Sequence, residues 1–314
     1  MAFMISTQSK LSDAERRSRI YAGEVFCMPP RDAVVDFAEF AWQVIVEAFG
    51  GIDPLKAHEE LPVEEYVDIL GPLKTQFTHS ATSKELLRNV LADLGADLRR
   101  TYFDVPKLRI VPPATYLNAG LGYNYTPHRD VWYSAPQCQN NWWVPVRGVS
   151  ADSCMCFHPE FWQQPTHNTS CRFDAYEWNR TSRRDAARYV KDDPRPHPRL
   201  ENGREPGTEI RIIGDPGSII SFSAAQLHAT VPNTTREARI SFDFRTVNVD
   251  DLVAHAGPEN IDSDSTGTSL RDFRRADNLD PLPDHVIEQY DHDGSVDGVL
   301  VFDPSVLSSV ANRR

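Results

Sequence analysis

The chain has 314 residues, 40% of them hydrophobic, with 15 Phe and 6 Trp, enough for one large domain or two small ones with a substantial core. Its 45 Asp and Glu against 33 Lys and Arg leave a net charge of −12, which argues against the basic face that a nucleic-acid partner requires. No apolar run reaches the roughly 18 residues of a membrane span.

The N-terminal stretch, Met1 to Arg19, lacks the apolar core and small-residue cleavage site of a secretion signal. The five cysteines, Cys27, Cys138, Cys154, Cys156 and Cys171, form no Cys-x-x-Cys pair. They read as reduced thiols, so a cytoplasmic protein is expected.

The first hundred residues read as helical. From Arg31 to Phe49, Val34, Phe37, Ala38, Ala41, Val44 and Ile45 recur at helical spacing, and Gly50-Gly51 stops the run. A second helix is expected to start at Thr82, where Thr82-Ser83-Lys84-Glu85 has the form of a capping box.

The texture changes at Leu108. Short β-branched and aromatic segments alternate with Pro, Gly and Asn turns at 108–111, 114–118, 141–146, 154–157, 209–213, 218–223 and 238–247. Helices first and strands after them predict one α+β, mainly β domain spanning 1–314: a helical part at 1–107 and a β core at 108–249. A polar, proline-studded stretch at 161–207 interrupts the core, with a helix expected around Asp185–Val190, and reads as a lid-like insertion. The acidic tail, 250–314, reads as a loop-rich extension.

Three His-x-acid pairs occur: His58-Glu59-Glu60, His128-Arg129-Asp130 and His158-Pro159-Glu160. His58 sits among charged neighbours of the helical part and reads as a solvated face. His158 precedes a proline that turns the chain and reads as a strand-end histidine. His128 and Asp130 follow a glycine turn and precede Val131-Trp132-Tyr133. If they lie on a strand, residues two apart share a face and can point together into a barrel mouth. His228, after the apolar run 218–222, supplies a third ligand. Two imidazoles and one carboxylate suit a non-haem Fe(II) with open positions.

The run from Ala238 to Val247 alternates Arg239, Ser241, Asp243 and Arg245 with Ile240, Phe242 and Phe244. Arg239 can hold the far carboxylate of a dicarboxylate cosubstrate, and Ser241 can add a hydroxyl donor. Arg236, in a turn, and Arg245 are the alternatives.

The order of these segments resembles the phytanoyl-CoA dioxygenase-like branch of the Fe(II)/2-oxoglutarate-dependent oxygenases. The resemblance rests on His128-Arg129-Asp130 with Trp132, on Asn141-Trp142-Trp143-Val144-Pro145-Val146, and on Ser153 through Pro159. It continues through Gly214-Asp215-Pro216-Gly217, His228, Pro232-Asn233 and Arg239. It covers roughly residues 108–160 and 208–247. Glu160-Phe161 departs from the small residues of that family's turn, and the insertion has no counterpart.

The resemblance implies a double-stranded β-helix (jelly-roll, cupin-like) core buttressed by the N-terminal helices, with Fe(II) on His128, Asp130 and His228. It implies 2-oxoglutarate chelating the iron and anchored by Arg239, with Ser241, Asn141 and Tyr116 assigned to the same cosubstrate. Dioxygen is the second cosubstrate, ascorbate the candidate reductant, and succinate and CO₂ the by-products. Related halogenases carry a small residue where Asp130 stands, so hydroxylation, desaturation or cyclisation of a small-molecule substrate is expected. Two other readings remain open: a jelly-roll metalloenzyme that uses no 2-oxoglutarate, and a non-catalytic jelly-roll binding module. The sequence leaves the substrate and the oligomeric state unspecified.

Overall fold

The computed structural model describes residues 3–8, 10–123, 126–183, 185–201 and 207–291. Five helices precede the main β region: α1 (Asp13–Tyr21), α2 (Asp32–Phe49), α3 (Ala57–Glu60), α4 (Val63–His79) and α5 (Ala81–Asp93). The periodic stripe of α2 is its buried face, and Gly50 closes the helix in the left-handed conformation at φ 59°. The start of α5 differs from the sequence expectation. Ser80, which also ends α4, accepts from the Ser83 amide, and the Ser83 hydroxyl turns back to donate to the carbonyls of Phe77 and Ser80. The tight α4–α5 junction makes Ser80 the cap and leaves Thr82 inside the first turn.

The strands are β1 (Ile5–Ser6), β2 (Val25–Met28), β3 (Thr101–Phe103), β4 (Lys107–Val111), β5 (Asn140–Arg147), β6 (Met155–Phe157), β7 (Ile210–Ile212), β8 (Ile219–Ser223), β9 (His228–Thr230), β10 (Arg239–Asn248) and β11 (Arg274–Arg275). Among the described residues they form an eight-stranded sheet ordered β1-β2-β8-β5-β10-β3-β11, with β4 also on β10, and a three-stranded sheet ordered β7-β6-β9. Only β1 and β2 pair in parallel; every other named pair is antiparallel. The result is a mixed α/β architecture dominated by antiparallel sheet.

Two faces of the large sheet are covered. On one, Phe37 of α2 and Phe77 of α4 pack on Phe242 of β10 with ring centroids 4.3 and 6.0 Å away. On the other, Trp143, Ile220 and Phe222 meet Met155, Phe157 and Ile212 of the small sheet in a shared apolar cluster. The alternation in β10 is therefore real. Ile240, Phe242 and Phe244 face the helices, while Arg239, Asp243 and Arg245 line cavities on the opposite side.

Several expectations are corrected. The first hundred residues are not wholly helical, because β2 pairs with β8 and carries β1 with it. Residues 114–118 form a turn, in which the Pro113 carbonyl accepts from the amides of Tyr116 and Leu117 after Pro112-Pro113 ends β4. The expected helix near 185–190 is one 3₁₀ turn, Ala186–Arg188, preceded in the insertion by α6 (Ala175–Glu177) and a π turn at Trp178–Ser182.

The described part of the tail is mostly irregular but well packed. It carries α7 (Val249–Val253) and α8 (Asp284–Ile287), and Leu252, Leu270, Phe273, Leu282, Val286 and Ile287 join Tyr102 and Val247 in a separate core cluster. The rest of the tail, 292–314, lies outside the described residues. No described helix is long and apolar enough to cross a membrane.

Candidate metal centre and its two cavities

His128 and His228 face each other through an isolated antiparallel bridge in which each amide donates to the other's carbonyl at 3.0 Å. His228 opens β9, so this bridge extends the small sheet by one residue. Asp130 does not continue a strand, as the sequence suggested; it begins a 3₁₀ turn, Asp130–Tyr133.

Arg129 explains the bend. Its guanidinium is fully buried and donates to the carbonyls of Ala225 (2.5 Å), Phe161 (2.6 Å) and Gln164 (3.0 Å), and to Asp262 Oδ2 (3.1 Å). That side chain ties the backbone between the two candidate ligands to three other segments.

His128 Nε2 and His228 Nε2 lie 3.3 and 3.8 Å from Asp130 Oδ1, and the three candidate ligand atoms all fall within 4.8 Å of one another. Each imidazole places Nδ1 near a backbone carbonyl two residues earlier: Thr126 at 2.8 Å for His128, Gln226 at 3.0 Å for His228. A carbonyl can only accept, so Nδ1 must carry the proton, and a neutral ring then presents the Nε2 lone pair to the shared centre. That is the tautomer a metal needs.

The electrostatics favour the same state. Burial first, then the neighbouring His128, push His228 down to about 3. Burial would raise the Asp130 carboxyl, but the Arg245 guanidinium foremost opposes it, and the carboxyl is held well below the usual carboxylate range. Asp130 Oδ2 accepts from Arg245 Nε at 3.3 Å and Gln139 Nε2 at 3.5 Å, leaving Oδ1 toward the imidazoles. Two imidazole Nε2 atoms and one carboxylate oxygen, buried and convergent, fit a divalent cation.

Two cavities meet at this centre. The inner one, about 70 Å³, lies between the sheets and is lined by His128, Asp130, His228, Asn141, Trp143 and Arg239, among others. Arg239 is buried over the Trp143 ring at 5.8 Å and donates through Nη1 to Ser241 Oγ at 2.6 Å. Its Nε is buried without a partner, and among the described residues no carboxylate lies within ion-pair distance. Burial and the nearby Arg109 lower the guanidinium to about 10, still protonated at neutral pH. A buried cation with an unsatisfied donor at a cavity wall fits a carboxylate ligand.

The outer cleft, about 390 Å³, shares His128, Asp130, Tyr123, Arg109, Val111 and Arg245 with the inner cavity. The insertion forms one of its walls, through residues including Phe173, Trp178, Arg183 and His197.

The other residues singled out in the sequence divide clearly. Asn141 lines the inner cavity and accepts from Gln139 Nε2 at 2.9 Å. Tyr116 stands elsewhere. Its hydroxyl donates to the Leu61 carbonyl at 2.8 Å and its ring packs on Tyr66, so the turn at 114–118 draws it into the helical layer and away from both cavities. His58 packs edge-on against Tyr116, and His158 is buried at the end of β6 without approaching the triad.

Arg245, the alternative on the same strand, is engaged with Asp104, Asp130 and Asp243. Sequence reasoning missed Arg109, which pairs with Asp243 through contacts of 2.5 and 3.2 Å beside Arg239. Its alternation with Lys107 along β4 was the available signal. Gln139, Lys74 and the aromatic residues of the insertion carried none.

No known protein family profile matches the sequence, and no curated protein matches it. Solved structures with partial likeness include EvdO2 from Micromonospora carbonacea var. aurantiaca, at 14% identity over 78% of this chain and 94% of that one, TM-score 0.44. The same protein complexed with 2-oxoglutarate aligns at 15% identity over 59% of this chain and 64% of that one, TM-score 0.35. The non-haem α-ketoglutarate-dependent carbocyclase SnoK from nogalamycin biosynthesis aligns at 13% identity over 81% and 94%, TM-score 0.38. Likeness at this level leaves the reading of the site to its own geometry.

Proposed function

We propose that the chain is a non-haem Fe(II)- and 2-oxoglutarate-dependent oxygenase, a single domain on a double-stranded β-helix core, that hydroxylates, desaturates or cyclises a small molecule. The resemblance to the phytanoyl-CoA dioxygenase-like branch belongs to the same proposal. The observation that carries it is the convergence of the Nε2 atoms of His128 and His228 with Asp130 Oδ1, beside a cavity that also holds the unsatisfied Arg239.

Bound Fe(II), with 2-oxoglutarate and dioxygen, would supply the oxidising chemistry and leave succinate and CO₂. The protein's contribution is positional. His128, Asp130 and His228 would hold the metal, and three protein ligands would leave positions open for cosubstrates. Arg239 and Ser241 would bind the remote carboxylate, and Asn141 lines the space between. Met155 and Phe222 give the inner cavity apolar walls that limit water. Access for the substrate is through the outer cleft, which reaches the same His128 and Asp130.

The test uses binding and turnover together. Electron paramagnetic resonance titration with Mn(II) should show one tight site, lost in His128→Ala and His228→Ala. 2-Oxoglutarate should bind the Mn(II)-loaded protein, more weakly in Arg239→Ala by about 2–5 kcal/mol. Fe(II)-dependent succinate formation should follow the same pattern. Unchanged 2-oxoglutarate affinity in Arg239→Ala would move the anchor to Arg109, and no succinate from the wild-type protein would end the cosubstrate reading.

A further inference from the structure

The outer cleft has the opposite sign to the molecule. The chain is −12 overall, yet the described residues lining the cleft include Lys74, Lys107, Arg109, Arg183, Arg195 and Arg245 against Asp104, Asp130 and Asp272. Most of these cations have work within the protein. Lys107 pairs with Asp104, Arg109 with Asp243, Arg195 with Asp193, and Arg245 with three aspartates.

Lys74 is different. Its ammonium, half-buried on α4, donates to the Leu121 carbonyl, and no described carboxylate lies within ion-pair distance of it. Burial, and then Arg109 and Arg239, push it down to about 7, with Asp243 offsetting part of the effect. An amine poised among cations and facing a cavity gains most from an incoming anion, which favours its charged form.

The other wall of the cleft is aromatic. Tyr133 meets Phe173 at 5.0 Å, Phe173 meets Trp178 at 5.7 Å, and Trp178 meets His197 at 4.6 Å. His197 in turn stacks on Tyr123 at 4.1 Å. Tyr133 also packs edge-on against His128 at 5.5 Å, so this wall runs up to the candidate metal centre.

We infer that the outer cleft binds a small organic anion, its carboxylate or phosphate paired with Lys74 and its apolar body laid against Tyr133, Phe173 and Trp178. This substrate class rests on the oxygenase reading. An anion held at Lys74 with its body along the aromatic wall would bring a C–H group toward His128 and Asp130. A lysine is a point charge and does not impose the planar fork of an arginine, so carboxylate and phosphate both satisfy it.

The experiment measures binding to the protein loaded with Mn(II) and 2-oxoglutarate without oxygen, using phenyl phosphate, benzoate and neutral benzamide. Both anions should bind at least roughly tenfold more tightly than benzamide and weaken as salt is raised, while benzamide should not respond to salt. Lys74→Gln should weaken both anions by roughly tenfold and leave 2-oxoglutarate affinity within about twofold, and Lys74→Arg should restore them. The tighter of the two anions identifies phosphate or carboxylate as the preferred group.

Equal binding of benzoate and benzamide, no binding of either anion, or anion affinity unaffected by Lys74→Gln would overturn the inference. Loss of metal or 2-oxoglutarate binding in the wild-type protein would instead strike the oxygenase reading. Titrating the anions into metal-free protein keeps the two failures apart.

Discussion

Ser241 shows how much of the site's chemistry depends on which atom donates. Arg239 Nη1 donates to Ser241 Oγ, so the hydroxyl keeps its own hydrogen for another acceptor. Ser241→Ala should therefore cost 2-oxoglutarate about 1.5 kcal/mol, the lower end for a hydrogen bond to a charged group, with Mn(II) affinity unchanged. Calorimetric titration of the Mn(II)-loaded variant reads this directly; equal affinity would mean that Ser241 only steadies Arg239. A second residue-scale expectation concerns acid. His197 and His228 are each pushed to about 3, mainly by burial, from an ordinary value of 6.5. Between those two values the unfolded chain binds more protons than the folded one, so stability must fall as the pH falls from 6.5 toward 3. Asp130, held low, adds to the loss in the same direction at the acid end. Urea midpoints of the metal-free protein at pH 7, 5.5 and 4.5 should decline steadily, and His197→Gln should flatten the decline. A level profile would show that these rings accept protons without unfolding.

At the scale of elements, what could be read from the sequence was whatever produced a period. The stripe of α2 and the alternation of β10 are buried as the spacing implied, because each element packs one face against a broad apolar surface. β1 and β2 have two and four residues and are sheet only through β8, so nothing local marks them. α4 carries Pro72 within its span and still runs to His79, since tertiary packing of Tyr66, Leu70, Leu73 and Phe77 outweighs the lost backbone bond. The triad was legible as residue types, but the bend at Asp130 was not, because its cause lies far along the chain. Asp262 accepts from Arg129 Nε, from Trp132 Nε1 at 2.8 Å and from the Thr166 amide and hydroxyl. The tail thus fastens the candidate metal-ligand segment and the start of the insertion with one carboxylate. Asp262→Ala leaves the Arg129 guanidinium buried without its counter-charge and should destabilise the fold by about 3–5 kcal/mol. Denaturant unfolding of the metal-free variant checks this. A loss below about 1 kcal/mol would mean that the carbonyls around Arg129 suffice on their own.

For the whole molecule, the outer cleft assembles stretches that are remote in sequence. Lys74 and Thr78 come from α4, Lys107 and Arg109 from β4, Trp178, Arg183 and His197 from the insertion, and Ser269, Asp272 and Phe273 from the tail. A composition of −12 cannot announce a cationic cleft, because the sign of a cavity depends on which few charges the fold turns inward. The insertion is the wall most exposed to test. Arg180, Arg188 and Lys191 are exposed, while Trp178, Asn179, Arg183 and Ala186 between and beside them line the cleft. Ligand in the cleft would therefore contact the same short segment that trypsin must unfold locally before cutting. Cleavage at these three sites should slow severalfold when phenyl phosphate is added to protein already loaded with Mn(II) and 2-oxoglutarate. Metal and 2-oxoglutarate alone, bound at the junction and in the inner cavity, should slow it far less. Mass spectrometry of the first-cut fragments separates the outcomes. If phenyl phosphate leaves the rates unchanged while calorimetry shows that it is bound, the insertion is not the wall that holds it, and the α4 side of the cleft, with Lys74 and Thr78, must supply the contacts alone.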